Sequence, residues 1–228
     1  MAGRQQDKPT TLDEWQRSDA YHNSFLIPKD DVLDAVVKNN QDQGLPDIAV
    51  STAQGKYLHL LVRSLGAKRV LEVGTLGGYS TVWLARGVPA DGRVVTLEVS
   101  AHHAKVAREN LTNAGVADKV ELIEGPAAET LAKLNPTEPF DLVFIDADKP
   151  SNLLYFTEAK RLVRKNGVII VDNIVRYGRV SNPDYTDAQV EGVRTLLHAI
   201  KSDKEVDATT IATVGEKGYD GYLYAVRD

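Results

Sequence analysis

The chain has 228 residues, 43% of them hydrophobic and 26% charged, with a formal net charge of −5 at pH 7. This length and composition suit one globular α/β domain with room for an additional N-terminal segment. Mild acidity without long basic runs argues against a nucleic-acid partner, and the lack of cysteine excludes disulfides, thiol catalysis and thiolate metal sites.

The N-terminal part of the sequence is polar and differs from the rest. Met1 to Asp13 has no periodicity, which predicts a disordered start, and two amphipathic helices are expected between Glu14 and Asn40. We assign residues 1–45 to an N-terminal helical extension that caps a site or contacts the second subunit of a homodimer. Because the sequence lacks a bilayer-spanning apolar stretch and a secretory signal, we expect a cytoplasmic protein without a membrane partner.

The segment after this extension predicts a loop from Ile48 to Gly55 and then a helix over Lys56 to Leu65. An apolar run, Val70–Val73, follows and meets a cluster of glycines before a helix-compatible stretch. A parallel strand covered on both faces has such a continuous apolar pattern. The glycines permit a tight turn and let a ligand approach the backbone and the amides of the next helix. The pattern predicts the opening unit of a nucleotide-binding domain.

The glycine spacing alone is weak support, because Gly74-x-x-Gly77-Gly78 does not match the G-x-G-x-x-G dinucleotide fingerprint. Two acids around it add weight. Glu72 lies inside the predicted strand, and Glu98 ends the next apolar run, where an acid can accept hydrogen bonds from ribose hydroxyls. The alternative for Glu72 is a structural carboxylate bonded to nearby backbone amides.

From Arg69 onward, strand and helix patterns alternate, which predicts a doubly wound, mostly parallel α/β sheet with right-handed crossovers. The predicted strands are Val70–Val73, Val94–Glu98, Val120–Glu124, Leu142–Asp146 and Val168–Asp172. The predicted helices are Tyr79–Arg86, Ala101–Ala114, Ala127–Leu134, Leu153–Val163 and Ala188–Lys201. Turn signals lie at Pro89–Gly92 and Asn166-Gly167, and two runs joined by a turn over Gly215–Asp220 predict a final antiparallel ribbon.

Polar residues follow two of these strands at the sheet edge where ligands bind in open α/β folds. The fourth strand is followed by Asp146, Asp148 and Lys149, and the fifth by Asp172 and Asn173. Packed carboxylates repel one another unless protons or a cation intervene. Hard oxygen ligands suit Mg²⁺, Ca²⁺ or Mn²⁺ better than zinc. The competing interpretation is that these acids cap the following helices and that Lys149 is an exposed lysine balancing them.

Four ordered motifs carry a resemblance to a known family. They are Glu72–Ser80, Glu124–Ala127, Ile145–Lys149 and Val171–Asn173. Together they resemble the cation-dependent O-methyltransferases, the caffeoyl-CoA and catechol O-methyltransferase-like enzymes that use S-adenosylmethionine. The resemblance implies a Rossmann-like, seven-stranded methyltransferase sheet with an antiparallel last strand, and it makes residues 46–228 the methyltransferase domain.

The resemblance also implies positions for the methyl donor. Glu72, Gly74 and Ser80 match residues that hold its methionine part or shape its loop. Glu98 matches the acid on the ribose, and Ala127 lies in the loop beside the adenine.

Further matches concern the cation and the reaction. Asp146, which also borders the donor, matches a metal ligand together with Asp172 and Asn173. Asp148 matches an acid reaching toward the donor's amino group, and Lys149 matches the proposed base.

The N-terminal loop of the family, here Val50 and Thr52, approaches donor, metal and substrate. The implied reaction is methylation of one hydroxyl of a small aromatic vicinal diol, a catechol, flavonoid or phenylpropanoid. A nicotinamide-dependent oxidoreductase and a non-catalytic binding module remain as alternatives from other functional classes.

Overall fold

The computed structural model describes residues 9–228 as one sheet flanked by helices. The helices are α1 Leu12–Leu26, α2 Asp31–Asp42, α3 Thr52–Ser64, α4 Tyr79–Gly87, α5 Ala101–Asn113, α6 Ala127–Lys133, α7 Asn152–Leu162 and α8 Ala188–Ile200. The strands are β1 Arg69–Val73, β2 Arg93–Glu98, β3 Val120–Glu124, β4 Phe140–Ile145, β5 Val163–Val171, β6 Val206–Gly215 and β7 Gly218–Arg227.

The seven strands lie in the order β3-β2-β1-β4-β5-β7-β6. The first five are parallel, whereas β7 is antiparallel to both β5 and β6. This confirms the predicted fold class, including the antiparallel last strand. Because β1, β4 and β5 are neighbours, their carboxyl ends bring the glycine loop and both acid-bearing strand ends to one edge.

The two faces of the sheet bury separate apolar cores, because successive side chains of a strand point in opposite directions. On one face, Leu71 packs with Phe156 of α7 and Leu196 of α8. On the other face, Val70 packs with Leu58 of α3 and Val82 of α4. Helices therefore cover both faces, which explains the continuous apolar runs of the central strands.

The N-terminal extension forms the two predicted helices. α1 begins at Leu12 behind a capping box, in which Glu14 Oε2 accepts from the backbone N–H of Thr11 at 2.8 Å and the Thr11 hydroxyl accepts from that of Glu14 at 3.4 Å. The prediction of disorder for residues 1–13 is therefore wrong at the C-terminal end of that segment, where Leu12 and Asp13 are helical. Residues 1–8 lie outside the described part of the chain. Every residue of α1 keeps some exposure to solvent.

Helix α3 starts earlier than the sequence predicted. Ser51 caps it, since its hydroxyl accepts from the backbone N–H of Gln54 at 3.1 Å, so Gln54 and Gly55 are helical. Gly55 is required for packing, because a Cβ at this position would collide with the indole of Trp83. Trp83 lies buried in α4, as expected for a core helix.

Two predicted turns differ from the structure. Asn166-Gly167 does not separate α7 from β5 but lies within β5, where Asn166 adopts a left-handed φ of 57° and the pairing with β4 shifts between Phe140 and Leu142. The extra residues form an irregularity that strand pairing accommodates. The β6–β7 turn contains only Glu216 and Lys217, because backbone pairing continues to Gly215 opposite Gly218.

Candidate active site

A cavity of about 710 Å³ lies at the carboxyl ends of the parallel strands. We call it the main cavity. Of the predicted site residues, it is lined by Val50, Gly74, Ser80, Glu98, Ala127, Asp146, Asp148, Lys149 and Asn173. Glu72 and Asp172 are buried next to it, whereas Thr52, the first residue of α3, does not line it. One sheet edge thus brings together the predicted residues other than Thr52, as expected for open α/β folds.

The glycine loop approaches β4 very closely. Gly74 has a φ of 103°, and a Cβ there would collide with the carbonyl oxygen of Asp146. Gly78 has a φ of 84° and precedes α4. Only glycine adopts these conformations readily. The loop can therefore pass between the strand ends and still expose its backbone to the main cavity.

Glu72 lies beneath this loop and has no exposed surface. Its carboxylate accepts three hydrogen bonds, from the hydroxyls of Ser80 at 2.6 Å, Thr81 at 2.5 Å and Thr96 at 2.6 Å. Burial raises the pKa of Glu72 to about 7, against the lowering effect of these hydroxyls. Of the two roles expected for Glu72, its position matches shaping of the loop, since it ties β1, β2 and α4 together.

Glu98 ends β2 and lines the main cavity. Its Oε2 accepts from the backbone N–H groups of Leu76 at 2.8 Å and Thr75 at 3.3 Å, so it holds the glycine loop. Its Oε1 accepts from the N–H of Ser100 at 3.0 Å and lies 3.4 Å from His103 Nδ1. Glu98 is thus oriented at the cavity wall, where a ribose was predicted.

Asp148 is oriented by the first turns that follow β4. Its Oδ2 accepts from the Ser151 hydroxyl at 2.6 Å, and its Oδ1 accepts from the Tyr155 hydroxyl at 2.5 Å. Burial and this hydrogen bond raise the pKa of Tyr155 to about 12, so Tyr155 remains a hydrogen-bond donor at neutral pH. All three residues line the main cavity.

Lys149 is only 4% exposed, which rules out the exposed-lysine interpretation. Its Nζ lies 2.9 Å from Oδ1 of Asp146. Long basic side chains are rarely buried so completely unless they are paired. The ammonium group is therefore held at the end of β4, beside the main cavity that it lines.

Asp172 is 5% exposed and follows β5. Its Oδ1 accepts from the N–H of Asn173 at 2.8 Å, and its Oδ2 accepts from Gln54 Nε2 at 2.8 Å. Burial raises the pKa of Asp172 to about 7, and the charge of Asp146 adds to this effect. Asn173 has a left-handed φ of 55°, a conformation found at functional sites.

A second cavity of about 340 Å³, which we call the side cavity, adjoins this point. It is lined by residues of α1, α3, the segment after β5 and the β6–β7 hairpin, and Asn173 lines both cavities. Tyr57 and Tyr222 form an aromatic wall, with ring centroids 5.2 Å apart and planes tilted by 31°. The predicted metal residues thus lie where the two cavities meet.

The donor set fits a hard divalent cation. The charge of Asp146 raises the pKa of the nearby Asp172, and the charge of Lys149, which is paired with Asp146, lowers it. Such a buried site needs more positive charge, and oxygen ligands from carboxylates and an amide suit Mg²⁺. Within residues 9–228 there is no cluster of three or more histidine, cysteine or carboxylate side chains arranged for a metal; the predicted set contains two carboxylates and one amide.

Comparison with known proteins identifies the family. The sequence model described as O-methyltransferase matches residues 23–220. The chain belongs to the O-methyltransferase family. It is 50% identical to a catechol O-methyltransferase of Mycobacterium tuberculosis over 208 residues, covering 91% of this chain and 94% of the relative.

Solved structures of other O-methyltransferases share the whole fold. An O-methyltransferase from Bacillus cereus in complex with SAH has a TM-score of 0.93 and 46% sequence identity. The match covers 96% of this chain and 100% of that chain. One from Streptomyces achromogenes, involved in tomaymycin synthesis and in complex with SAM, has a TM-score of 0.92 and 45% identity, covering 96% and 99%. The predicted enzyme class, an S-adenosylmethionine-dependent O-methyltransferase, is confirmed, and the oxidoreductase alternative finds no support.

Several residues around this O-methyltransferase site were missed by sequence reasoning. Gln54 was assigned to a loop, and the signal for its helical position was the capping serine before it. His103 was given no role although it lines the main cavity. Tyr155 lies seven residues after Asp148 and Ser151 three residues after it, a spacing that places their hydroxyls above the strand end.

Three further aromatic residues lie outside both cavities. Tyr177 and Tyr185 pack around the guanidinium of Arg179, at 5.8 and 5.2 Å from its carbon to the ring centroids. Neither they nor Trp83 are among the residues that line the main or side cavity.

Proposed function

We propose that the chain transfers the methyl group of S-adenosylmethionine to one hydroxyl of a small aromatic vicinal diol, with a bound divalent cation. The observation that carries this proposal is Asn173, which lines both cavities next to Asp146 and Asp172. A cation there would lie between a donor in the main cavity and an acceptor in the side cavity. The catechol O-methyltransferase that is 50% identical supports the same acceptor class.

The donor would occupy the main cavity along the glycine loop. We assign its ribose to Glu98, its adenine to the loop at Ala127 and its methionine part to Gly74, Ser80 and Asp148, as the family resemblance implies. The volume of about 710 Å³ falls within the usual range for small-molecule sites, roughly 300–1,000 Å³. Val50 would close the cavity from the N-terminal side.

The metal would be held by Asp146, Asp172 and Asn173, with Gln54 orienting Asp172. When bound, the cation supplies positive charge that lowers the pKa of a coordinated hydroxyl. Mg²⁺ is our preferred cation, with Ca²⁺ or Mn²⁺ as alternatives that offer the same hard-acid chemistry.

The residues of the chain then perform two tasks. In its neutral amine form, Lys149 would accept the proton of the acceptor hydroxyl at Nζ as general base, from a buried position beside Asp146. The glycine loop, Asp148 and the tyrosine wall would orient donor and acceptor toward each other. The acceptor oxygen would form the new bond to the methyl carbon while the carbon–sulfur bond breaks and its electron pair stays on sulfur.

The extension of residues 1–45 has two further proposed roles. α1 contributes Asp19 to the side cavity, so it caps the acceptor site. α1 also exposes Tyr21, Phe25 and Leu26, and we propose that this apolar face contacts a second subunit in a homodimer. Among residues 9–228 no helix has the length and apolar character needed to cross a membrane; location in the cytoplasm stays a prediction.

The test is methyl transfer from S-adenosylmethionine to a panel of catechols, with Mg²⁺ and again with EDTA. We expect turnover that EDTA abolishes and Mg²⁺ restores. Calorimetry of donor binding separates the parts of the proposal. Donor binding without any catechol turnover would reject the acceptor class, and turnover insensitive to EDTA would reject the cation.

A further inference from the structure

The charges around the side cavity bear on the choice of acceptor. Apart from the proposed metal ligand Asp172, its charged lining residues are Asp19, Glu216, Asp220 and Lys217. Three carboxylates therefore face one ammonium group. Lys217 is itself paired outside the cavity, since its Nζ lies 2.9 Å from Oδ1 of Asp47.

The three carboxylates are held in place by backbone amides. Asp19 Oδ2 accepts from the N–H of Glu216 at 2.8 Å, and Glu216 Oε1 accepts from that of Thr52 at 3.0 Å. Asp220 Oδ1 accepts from the N–H of Arg176 at 2.8 Å. A backbone amide orients a carboxylate and stabilises it but carries no net charge. The negative field of these three carboxylates, which we call the acidic wall, therefore remains.

The metal set does not offset this field. Asp146 and Asp172 balance the charge of one divalent cation, and Lys149, which is paired with Asp146, lines the main cavity and not the side cavity. The three acids from α1 and the hairpin are additional to that balance. Clefts lined by one sign of charge concentrate ligands of the opposite sign and disfavour ligands of the same sign.

The remaining wall suits an aromatic ring. Tyr57 and Tyr222 present their tilted rings, and Ala53 and Val214 add apolar surface. The volume of about 340 Å³ lies near the lower end for small-molecule sites, roughly 300 Å³. It suits one ring with a short side chain.

Resting on the function proposed above, we propose that this enzyme selects small catechols with an amine-bearing side chain over those with a carboxylate. The diol end is held by the Asp172 and Asn173 side of the cavity. The side-chain amine is attracted by Asp19, Glu216 and Asp220, whereas a carboxylate at the same position is repelled by them.

The experiment compares kcat/KM for three catechols in the holoenzyme with Mg²⁺: 4-methylcatechol as the neutral reference, dopamine, and 3,4-dihydroxyphenylpropionate. We expect dopamine to exceed the carboxylate by about tenfold or more at low salt, because charges near a protein surface interact by a few kT. We expect the ratio to fall as salt screens the acidic wall.

Matched variants identify the source of the preference. Asp19→Asn and Glu216→Gln each remove one negative charge but keep a carbonyl oxygen that can accept the same backbone hydrogen bond. Each should lower the ratio of kcat/KM for dopamine to kcat/KM for the carboxylate about threefold. Asp118→Asn, an exposed change before β3 at the opposite edge of the sheet, alters net charge equally and should leave the ratio unchanged.

The outcomes separate the two proposals. A dopamine-to-carboxylate ratio at or below one, with 4-methylcatechol turned over, would overturn the preference and leave the O-methyltransferase proposal intact. A ratio above one that neither Asp19→Asn nor Glu216→Gln changes would show that these carboxylates do not cause the preference. No turnover of any catechol by enzyme that binds the donor would reject the proposed function itself.

Discussion

The side-chain amide of Gln54 in α3 donates a 2.8 Å hydrogen bond to Oδ2 of Asp172 at the end of β5. These residues are 118 positions apart in the sequence. The bond fixes a buried carboxylate that we assign to the metal. Gln54 therefore connects the helix that follows the N-terminal loop to the proposed cation site.

We predict that Gln54→Ala weakens metal activation. Partners that orient metal ligands typically contribute about 10–100-fold to metal affinity, so the Mg²⁺ concentration for half-maximal activity should rise about tenfold or more. A Mg²⁺ titration of methyl transfer measures this. Gln43→Ala, an exposed glutamine, is the control, and equal Mg²⁺ dependence of both variants would contradict the role of Gln54.

Lys149→Met should remove the general base while leaving donor binding intact. We expect kcat to fall by about 10²–10⁴, the usual contribution of a positioned base. Donor affinity by calorimetry should stay within about threefold of wild type. Lys165→Met, at an exposed position, should keep full activity; a Lys149→Met enzyme with near wild-type kcat would exclude Lys149 as the base.

Glu72 should make stability depend on pH. Because burial raises its pKa from 4.5 to about 7, the native state retains a proton that the unfolded chain loses at lower pH. This contribution is complete below pH 4.5 and is lost as pH rises toward 7, on the order of 3 kcal/mol. Glu72→Gln stays neutral throughout and lacks this dependence.

Urea unfolding of wild type and Glu72→Gln at pH 5 and pH 8 measures the effect. The free energy of unfolding of wild type, relative to the variant, should be lower at pH 8 than at pH 5. Absolute stability of the variant also reflects the altered hydrogen bonds to three hydroxyls, so only the change with pH is diagnostic. A difference that is the same at both pH values would show that Glu72 titrates normally.

Gly74→Ala should be far more damaging than Gly115→Ala. Both glycines have positive φ, but a Cβ at Gly115 meets open space, whereas at Gly74 it would collide with the Asp146 carbonyl. We expect backbone strain alone, about 1–2 kcal/mol, at Gly115. Gly74→Ala should exceed that cost and also weaken donor binding, as measured by urea unfolding and calorimetry. Equal losses in both variants would contradict the close approach.

The exposed face of α1 should hold a dimer together. Tyr21, Phe25 and Leu26 are 63%, 72% and 71% exposed, and such apolar patches mark interaction sites. Phe25→Ser should shift the mass measured by light scattering from dimer toward monomer. Leu154→Ser, which removes an exposed leucine from α7 on the other face of the sheet, should not. A wild-type monomer would refute the proposal.

The sequence by itself determined which local elements form and what their ends carry. Continuous apolar runs marked the central strands because both faces of the sheet are covered, and the glycine loop and the acids at Asp146 and Asp172 followed from residues next to those runs. Boundaries were less well predicted at Ser51 and Asn166, where a single cap or one left-handed residue changes the extent of an element without altering its apolar period.

Only the tertiary structure decided which distant residues meet. The order of the strands places β1 beside β4 and β4 beside β5, and this juxtaposition brings Gly74, Asp146 and Asp172 to one edge. Gln54 on Asp172, His103 beside Glu98 and Asp19 against the β6–β7 turn all depend on helices packed from other parts of the chain. Local periodicity reports the face that an element buries, whereas the partner on that face is chosen by packing of the whole molecule.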